Sequence, residues 1–448
     1  MAGCGGLIIA APASGSGKTV VTLAILRALT RAGLRVSSFK VGPDYIDPAF
    51  HAAATGRSCL NLDLWAMRPA TVAHLLERLC ADVELIVGEG VMGLFDGAAD
   101  GTGSTADVAA ATGWPVILVV DVRGQAASAA ALVRGFAAHR ADVAVSGVIF
   151  NRVGSQAHVD VLRRAIEPLG IPVVGFVPRD SDLALPERHL GLVQAAERDN
   201  LQPFLETAAD HADRHLDLAA LRSLARPGGS AFLTDGRGGA GLPPLGQRIA
   251  VARDVAFAFT YPAQLEAWRA AGASLLFFSP LADEAPAADA DAVFLPGGYP
   301  ELHAGRLASN AAFLDGLRMA AARGAIVYGE CGGYMVLGES LTDADGRAHA
   351  MAHLLPLATS FAERRLHLGY RQAQLATPCA FGSAGSEYRG HEFHYAVIRD
   401  EGSGEPLFTC RDARGNWLGD SGRRHGTVMG SFVHLIDRVD DGAIEVAR

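Results

Sequence analysis

The chain has 448 residues, half of them hydrophobic and 19% charged, which is enough for two domains with full cores and suits parallel sheets covered on both faces. The formal net charge of −9, with no cluster of Lys or Arg, argues against nucleic acid as a partner. The first residues carry no basic flank and the apolar run 7–12 is too short for a signal sequence or a membrane span, so no membrane partner and a cytoplasmic location are expected.

The first 180 or so residues alternate short β-rich runs, at 7–11, 36–40, 85–88, 116–121 and 145–150, with Ala/Leu-rich helical stretches such as 19–31. That rhythm predicts an α/β fold with a doubly wound parallel sheet. Directly after the first run stands Ala11-Pro12-Ala13-Ser14-Gly15-Ser16-Gly17-Lys18-Thr19, a strand, glycine loop and helix start in the order a phosphate loop requires. Backbone N–H groups of Gly15, Ser16 and Gly17 would cradle the phosphates of ATP, Lys18 would reach the terminal ones, and the Thr19 hydroxyl would ligate Mg²⁺. Pro12 stands where the usual pattern has its first glycine.

The second run ends in Lys40-Val41-Gly42-Pro43-Asp44-Tyr45-Ile46-Asp47, placing a lysine and two carboxylates at the edge where ligands of such sheets bind. Carboxylates there suit Mg²⁺, although Pro-Asp also forms simple turns. The run 85–88 leads into Glu89-Gly90-Val91-Met92-Gly93-Leu94-Phe95-Asp96-Gly97; Glu89 is a candidate metal ligand, while Asp96-Gly97 also reads as a turn. Asn151, after the run 145–150, offers an amide to read adenine or to cap a helix.

The pattern changes over 199–246, where a polar helix-like stretch gives way to Pro/Gly breakers such as Arg226-Pro227-Gly228-Gly229, so the sequence predicts domains at 1–198 and 247–448 with a linker between. A new α/β series follows, with β-rich runs at 249–252, 275–278, 292–295 and 325–328. The last leads into Gly329-Glu330-Cys331-Gly332-Gly333, a small-residue turn that exposes a nucleophile on a tight elbow. A helix start after Cys331 would lower its thiol pKa, and the Gly332 N–H would help to hold an oxyanion, with Gly298 of Pro296-Gly297-Gly298-Tyr299-Pro300 as a second donor. His434, about 100 residues downstream, is the candidate base, in competition with His391 and His394. The other five cysteines form no C-x-x-C pair, which excludes a zinc site or disulfide framework of the common spacings.

Taken in order, these motifs resemble the cobyrinic and hydrogenobyrinic acid a,c-diamide synthases over the whole chain; the first half alone resembles dethiobiotin synthetase and the second a class I glutamine amidotransferase. The resemblance implies that Cys331 attacks L-glutamine with His434 as base, and that the ammonia released crosses to the first domain without meeting solvent. There ATP and Mg²⁺ would convert a corrin ring carboxylate to an acyl phosphate, which ammonia displaces, at the a and then the c position or the reverse, in cobalamin biosynthesis. By position in the family motifs Lys40 handles nucleotide, Thr19, Asp47 and Glu89 handle Mg²⁺ or phosphate, and Asp44 and Asp96 lie near the carboxylate being activated. Many amidotransferases carry an acid two residues after the histidine, but that position here is Ile436, so the third member of the thiol site is unassigned. The phosphate loop and Asn61-Leu62-Asp63-Leu64-Trp65 are more similar to the hydrogenobyrinic branch, whose ring is cobalt-free, than to the cobyrinic one or the nickel-sirohydrochlorin relative. Family analogy also implies a homodimer. A reading from another class is a P-loop ATPase switch with a regulatory thiol domain, which predicts nucleotide-controlled association without glutamine turnover.

Overall fold

Gly5–Ala10 (β1), whose Leu7, Ile8 and Ile9 have no exposed surface, is the strand around which the first half is built. The computed structural model describes residues 4–188, 191–228 and 241–439, and the chain forms two units, Met1–Trp65 with Pro69–Gly238 and Ala66–Arg68 with Gly239–Arg448. In the first unit β1 is followed by Val36–Val41 (β2), Leu60–Leu62 (β3), Leu85–Glu89 (β4), Val116–Asp121 (β5), Val145–Val153 (β6) and Val173–Pro178 (β7). Their order is β3-β2-β4-β1-β5-β6-β7, with every one of these pairings parallel. From β1 the chain winds out to one side as far as β3, returns through β4, then crosses to β5 on the other side. That reversal opens a crevice beyond the carboxyl ends of β1 and β4.

The five β-rich runs expected from the sequence are five of these strands, each within one to three residues of its expected ends. The linker expected over 199–246 is corrected. Its first part forms the helices Leu201–His215 and Leu218–Leu224, followed by Arg226–Pro227, which pairs antiparallel with the start of β1. Phe204, Leu205, Ala208, Ala209 and Ala212 recur at helical spacing and are all buried, so this stretch has an apolar face despite its polar composition. Its polar face meets the helix Lys18–Arg31, where Arg31 reaches Asp210 at 2.7 Å and Asp213 at 2.8 Å. These ion pairs are half exposed and contribute little beyond fixing the register. Of the rest, 229–240 lies outside the described residues, and 241–246 buries Leu242 and Leu245 in the core of the second unit.

In the second unit, Ser274–Phe278, Arg248–Ala252, Ala292–Leu295, Ile326–Glu330 and Val428–Ser431 pair in parallel in that order. The same sheet continues antiparallel through Trp417–His425, Glu405–Arg411, His367–Leu375 and Glu387–His394 to His434–Arg438. Val428–Ser431 and His434–Arg438 are thus five places apart in the sheet but joined by Phe432 and Val433 alone. A flat sheet would put strands five places apart at roughly 24 Å, and three residue steps span at most about 11 Å, so the sheet must curl back on itself. The curl delivers His434 beside the end of Ile326–Glu330. Among the described residues no helix is long and apolar enough to cross a membrane.

A fragment of residues 1–228 is expected to unfold cooperatively, whereas one ending at 198 uncovers the surface against Phe204, Leu205, Leu216 and Leu221. At about 1.5–3 kcal/mol for each large apolar side chain, that loss rivals the whole stability of an ordinary domain, about 5–15 kcal/mol. Thermal unfolding followed by circular dichroism checks it: equal midpoints for the two fragments would return the boundary to residue 198.

Candidate active sites

The turn after β1 is held by its own backbone and by β6. Gly17 has φ 82° and caps the helix Lys18–Arg31, and a Cβ there would stand 2.3 Å from Asn151 Nδ2, so only glycine fits. Asn151 Nδ2 donates to Ser16 O at 2.8 Å, while its Oδ1 accepts from Arg152 N at 2.9 Å. Asn151 thus braces the loop through its Oδ1 and one Nδ2 hydrogen, and it also lines the cavity beside Gly17. Arg152 adds a second brace, donating to Gly15 O at 2.7 Å and to Asp121 Oδ2 at 2.6 Å.

Behind the loop, β2, β4 and the helix Asp47–Thr55 bring charged groups together. Lys40 Nζ donates to Asp47 Oδ2 and, at 2.7 Å, to Glu89 Oε1, with Asp44 Oδ2 at 4.0 Å. Thr19 Oγ1 donates to Glu89 Oε1 at 2.6 Å and lies 3.3 Å from Asp47 Oδ2. Lys18 Nζ donates to Met92 O at 2.9 Å. The sequence reading missed His51, whose Nε2 lies 2.6 Å from Glu89 Oε2, both side chains being fully buried. The available signal was its place one helical turn after Asp47, on the same face.

Two lysines and a histidine here meet three carboxylates, and their titration follows from burial and from who pairs with whom. Burial works against charge on Lys40, but Asp47, Glu89 and Asp44 together hold it protonated well above the usual lysine range. Burial likewise opposes a charged Glu89, and Lys40 and His51 keep it ionised, below the usual carboxylate range. Asp47 bears the conflict: burial and the Asp44 carboxylate push it up to about 7, against the pull of Lys40. Lys18 is lowered to about 8 by burial and by Lys40. One lysine and one carboxyl of the cluster thus sit near neutrality, poised to respond to a phosphate or a cation.

Asp44 turns its Oδ1 to Ile46 N at 2.7 Å and Asp47 N at 3.1 Å, fixing the start of the helix that carries Asp47. Asp96 is exposed and its Oδ2 accepts from Gly93 N at 2.9 Å, in a loop that closes over the phosphate turn through Leu94 N to Ala11 O at 2.8 Å. Among the described residues no group of three or more His, Cys, Asp or Glu side chains is arranged as a metal cage. Mg²⁺ does not need one, because it is commonly held by one or two carboxylates with phosphate oxygens and water, and the Thr19 hydroxyl with Asp47 and Glu89 fits that donor set. Beside Gly17 a cavity of about 350 Å³ is lined by Val21, Pro178, Arg179, Leu183 and His211, among others.

In the second unit Ile326–Glu330 ends in Cys331 at φ 46°, ψ −101°, followed by the short helix Gly332–Leu337. The elbow is tight: a Cβ on Gly333 would stand 2.0 Å from Leu295 O, and one on Gly332 3.1 Å from Gly298 N. Gly298 N therefore lies close beside Gly332, whose N–H reaches the thiol. Cys331 N donates to Ser431 O at 2.8 Å, which ties the elbow to the strand leading to His434. The neighbouring Gly297 lies against the His434 ring, with a would-be Cβ 2.4 Å from Cε1.

The expectation of a lowered thiol pKa is corrected. Burial pushes Cys331 well above the usual thiol range, helped by Glu301 and only partly offset by the Gly332 N–H; a helix of six residues is too weak to reverse that. A thiol kept neutral at rest needs a base, and His434 is adjacent to the elbow. Its competitors differ in setting. His391 stacks on His434 at 4.9 Å and bonds Tyr261 OH at 3.1 Å. His394 stacks on Phe432 at 3.9 Å and bonds Ala396 O at 3.0 Å. Burial is the largest cause holding both imidazoles low, His394 down to about 3.

The Asp47 assignment has a sign that can be measured. A carboxyl raised from 3.8 to about 7 keeps a proton that the unfolded chain has released, so between these values its contribution to stability falls as pH rises. The stability of Asp47→Asn relative to wild type should therefore increase from about pH 4 to pH 7, read from hydrogen exchange of β1 and β4 amides. A flat or falling difference would place Asp47 at an ordinary carboxylate pKa.

Residues 7–193 match the CobQ/CobB/MinD/ParA nucleotide binding domain, and residues 248–440 the CobB/CobQ-like glutamine amidotransferase domain. The chain is 57% identical over 436 residues to the hydrogenobyrinate a,c-diamide synthase of Brucella anthropi, covering 96% of this chain and 98% of that one. It is 56% identical over 436 residues to the enzyme of that name from Rhodobacter capsulatus, with the same coverage. The Rhizobium meliloti enzyme of that name is 55% identical over 432 residues, covering 96% and 99%. A phosphate loop and a cysteine elbow on one chain, at this identity along nearly its whole length, place the protein: it belongs to the hydrogenobyrinate a,c-diamide synthase family.

Proposed function

We propose that this chain amidates the a and c carboxylates of hydrogenobyrinic acid in cobalamin biosynthesis, using ATP and the ammonia of L-glutamine. The observation that carries the reading is the pairing, on one chain, of a phosphate loop backed by Lys18, Thr19, Asp47 and Glu89 with a strained cysteine elbow beside a histidine. The ring is assigned from the relatives' shared name, and cobalt-bearing cobyrinic acid is the competitor.

At the thiol site Cys331 Sγ attacks the carboxamide carbon of glutamine while its proton passes to His434. The oxyanion is received by the N–H groups of Gly332 and Gly298, and the proton returns from His434 to the departing ammonia. Water, activated by the same imidazole, then hydrolyses the thioester to glutamate. At the phosphate loop the N–H groups of Gly15, Ser16 and Gly17 hold the phosphates, and Lys18 leaves the Met92 carbonyl for the terminal one. The base occupies the cavity beside Gly17, where apolar groups such as Val21, Pro178 and Leu183 can face the ring and polar ones such as Asn151 and Asp180 its edge. Thr19, Asp47 and Glu89 would hold Mg²⁺, which would neutralise phosphate charge. A ring carboxylate, approached from the side of Asp44 and Asp96, attacks the terminal phosphorus and ADP leaves. Ammonia then displaces phosphate from the acyl phosphate to give the amide.

Cys331→Ala should lower glutamine-dependent amidation by at least about 10³-fold while leaving amidation from free ammonia intact, as expected when one of two separable steps is removed. Lys18→Ala should do the converse, sparing glutamine hydrolysis and abolishing phosphate release. Phosphate and glutamate are measured with hydrogenobyrinic acid, cobyrinic acid and no acceptor. Faster turnover of the cobalt-bearing ring would reassign the substrate, and glutamate formation with neither ring would overturn the proposal.

A further inference from the structure

The geometry points to Glu330 as the positioning residue for His434, its carboxylate orienting the imidazole and stabilising the imidazolium that forms when Cys331 gives up its proton. This rests on the glutamine-hydrolysing reading of the thiol site and supplies the member of that site which Ile436, two residues after the histidine, cannot provide.

Glu330 is the last residue of the strand Ile326–Glu330, immediately before the nucleophile, and its side chain is 3% exposed. One oxygen is fixed: Oε1 accepts from Tyr328 OH at 2.9 Å and from Leu435 N at 3.3 Å. The second of these donors follows His434 in the chain, so the carboxylate is clamped to the same backbone that carries the imidazole. The other oxygen, Oε2, faces His434 Nδ1 at 3.6 Å, an ion-pair distance that shortens to a hydrogen bond once the ring is charged. With Nδ1 turned to Glu330, Nε2 is the nitrogen left to exchange a proton with the thiol. This is the division of labour in which a buried acid sets the tautomer of a catalytic imidazole.

The other titratable and charged groups around His434 do not duplicate this. His391 is stacked on the ring at 4.9 Å and, with His394, is held neutral by burial. Arg371, which acts on both of them, is itself paired with Glu392 at 2.6 Å. Cys331 is the proton donor. The position two before the nucleophile is Gly329, and Gly297 lies against Cε1 of the ring, so neither supplies a charge. Glu301 and Glu392 act on the Cys331 thiol, and Glu330 is the carboxylate whose oxygen faces Nδ1.

The test is made on the full-length enzyme, with amidation from free ammonia as the internal control for folding and for the other site. Glu330→Gln is expected to lower glutamine-dependent kcat by about 10²- to 10³-fold, in the range of losses when a general base is mis-set. KM for glutamine should change by less than about threefold, because Glu330 makes no substrate contact and acts only in the charged transition state. Losing the negative charge disfavours the imidazolium, so the acid limb of kcat/KM should move to lower pH. Glu330→Asp, which keeps the charge, should recover part of kcat, and Tyr328→Phe, which loosens one clamp, should cost less than Glu330→Gln. A Glu330→Gln enzyme within threefold of wild type in kcat and with an unmoved pH profile overturns the assignment. So does equal loss of glutamine- and ammonia-dependent activity, which would make Glu330 structural. Should Glu330→Gln fail to fold, Glu330→Asp and Tyr328→Phe decide by the same two readouts. If wild type itself hydrolyses no glutamine, the proposed function falls and this inference with it.

Discussion

Lys40 Nζ lies between Asp47 and Glu89, with the Glu89 side chain fully buried and that of Asp47 11% exposed, and much of the first unit follows from how that ammonium is kept satisfied. An unpaired buried charge costs several kcal/mol, so β2 and β4 must lie side by side to bring Lys40 level with Glu89, as their register does. The helix that carries Asp47 must start where Asp44 Oδ1 holds the Asp47 N–H, and His51 must take the second Glu89 oxygen. What these contacts leave is one carboxyl and one lysine with pKa values near neutrality. These two groups are the ones a ligand can recruit: a cation would draw the proton from Asp47, and a phosphate oxygen outcompetes the Met92 carbonyl that Lys18 holds.

The second unit solves a different problem. A thiol that must attack only when glutamine is present is better neutral than ionised, since a standing thiolate is open to oxidation. Burial of Cys331 beside Glu301 enforces the neutral form, and reactivity then depends on a base placed by the fold. The two-residue connection through Phe432 and Val433 is what places it, because the sheet cannot close without bringing His434 to the end of Ile326–Glu330.

Legibility in the sequence divides along physical lines. Parallel strands are continuous apolar runs, and nine of them are readable as such, from 7–11 to 325–328, eight largely buried and the edge strand Ser274–Phe278 partly exposed. The antiparallel strands of 367–438 were not, because sequences such as Trp417–His425 and Glu387–His394 alternate polar groups over half-exposed faces and are interrupted by bulges. Leu201–His215 was taken for linker because its mean composition is polar; only its periodicity carried the signal. Among site residues, those whose roles depend on local backbone, such as Gly17, Lys18, Thr19 and Cys331, were identifiable from spacing. His51 and Glu330 were not, since each is defined by a partner reached across the sheet or through the fold, and no spacing in the chain reports that.

Backbone strain shows where these requirements were hardest to meet. Six non-glycine residues among those described adopt positive φ, and three of them, Met92, Arg152 and Cys331, stand at the two sites. Each costs about 1–2 kcal/mol where a β-carbon meets the preceding carbonyl, so each persists only where several contacts fix it. Met92 turns its carbonyl to Lys18, Arg152 swings back to hold Gly15 O and Asp121, and Cys331 is tied by its N–H to Ser431 O. All three stand at or near the carboxyl end of a parallel strand: Cys331 directly after Ile326–Glu330, Met92 three residues beyond β4, and Arg152 at the last residue but one of β6. A glycine would adopt these angles freely but would supply no thiol at 331 and no guanidinium at 152. At 92 only the carbonyl is used, so there the side chain itself is not what the strain secures; the turn that aims the carbonyl at Lys18 is.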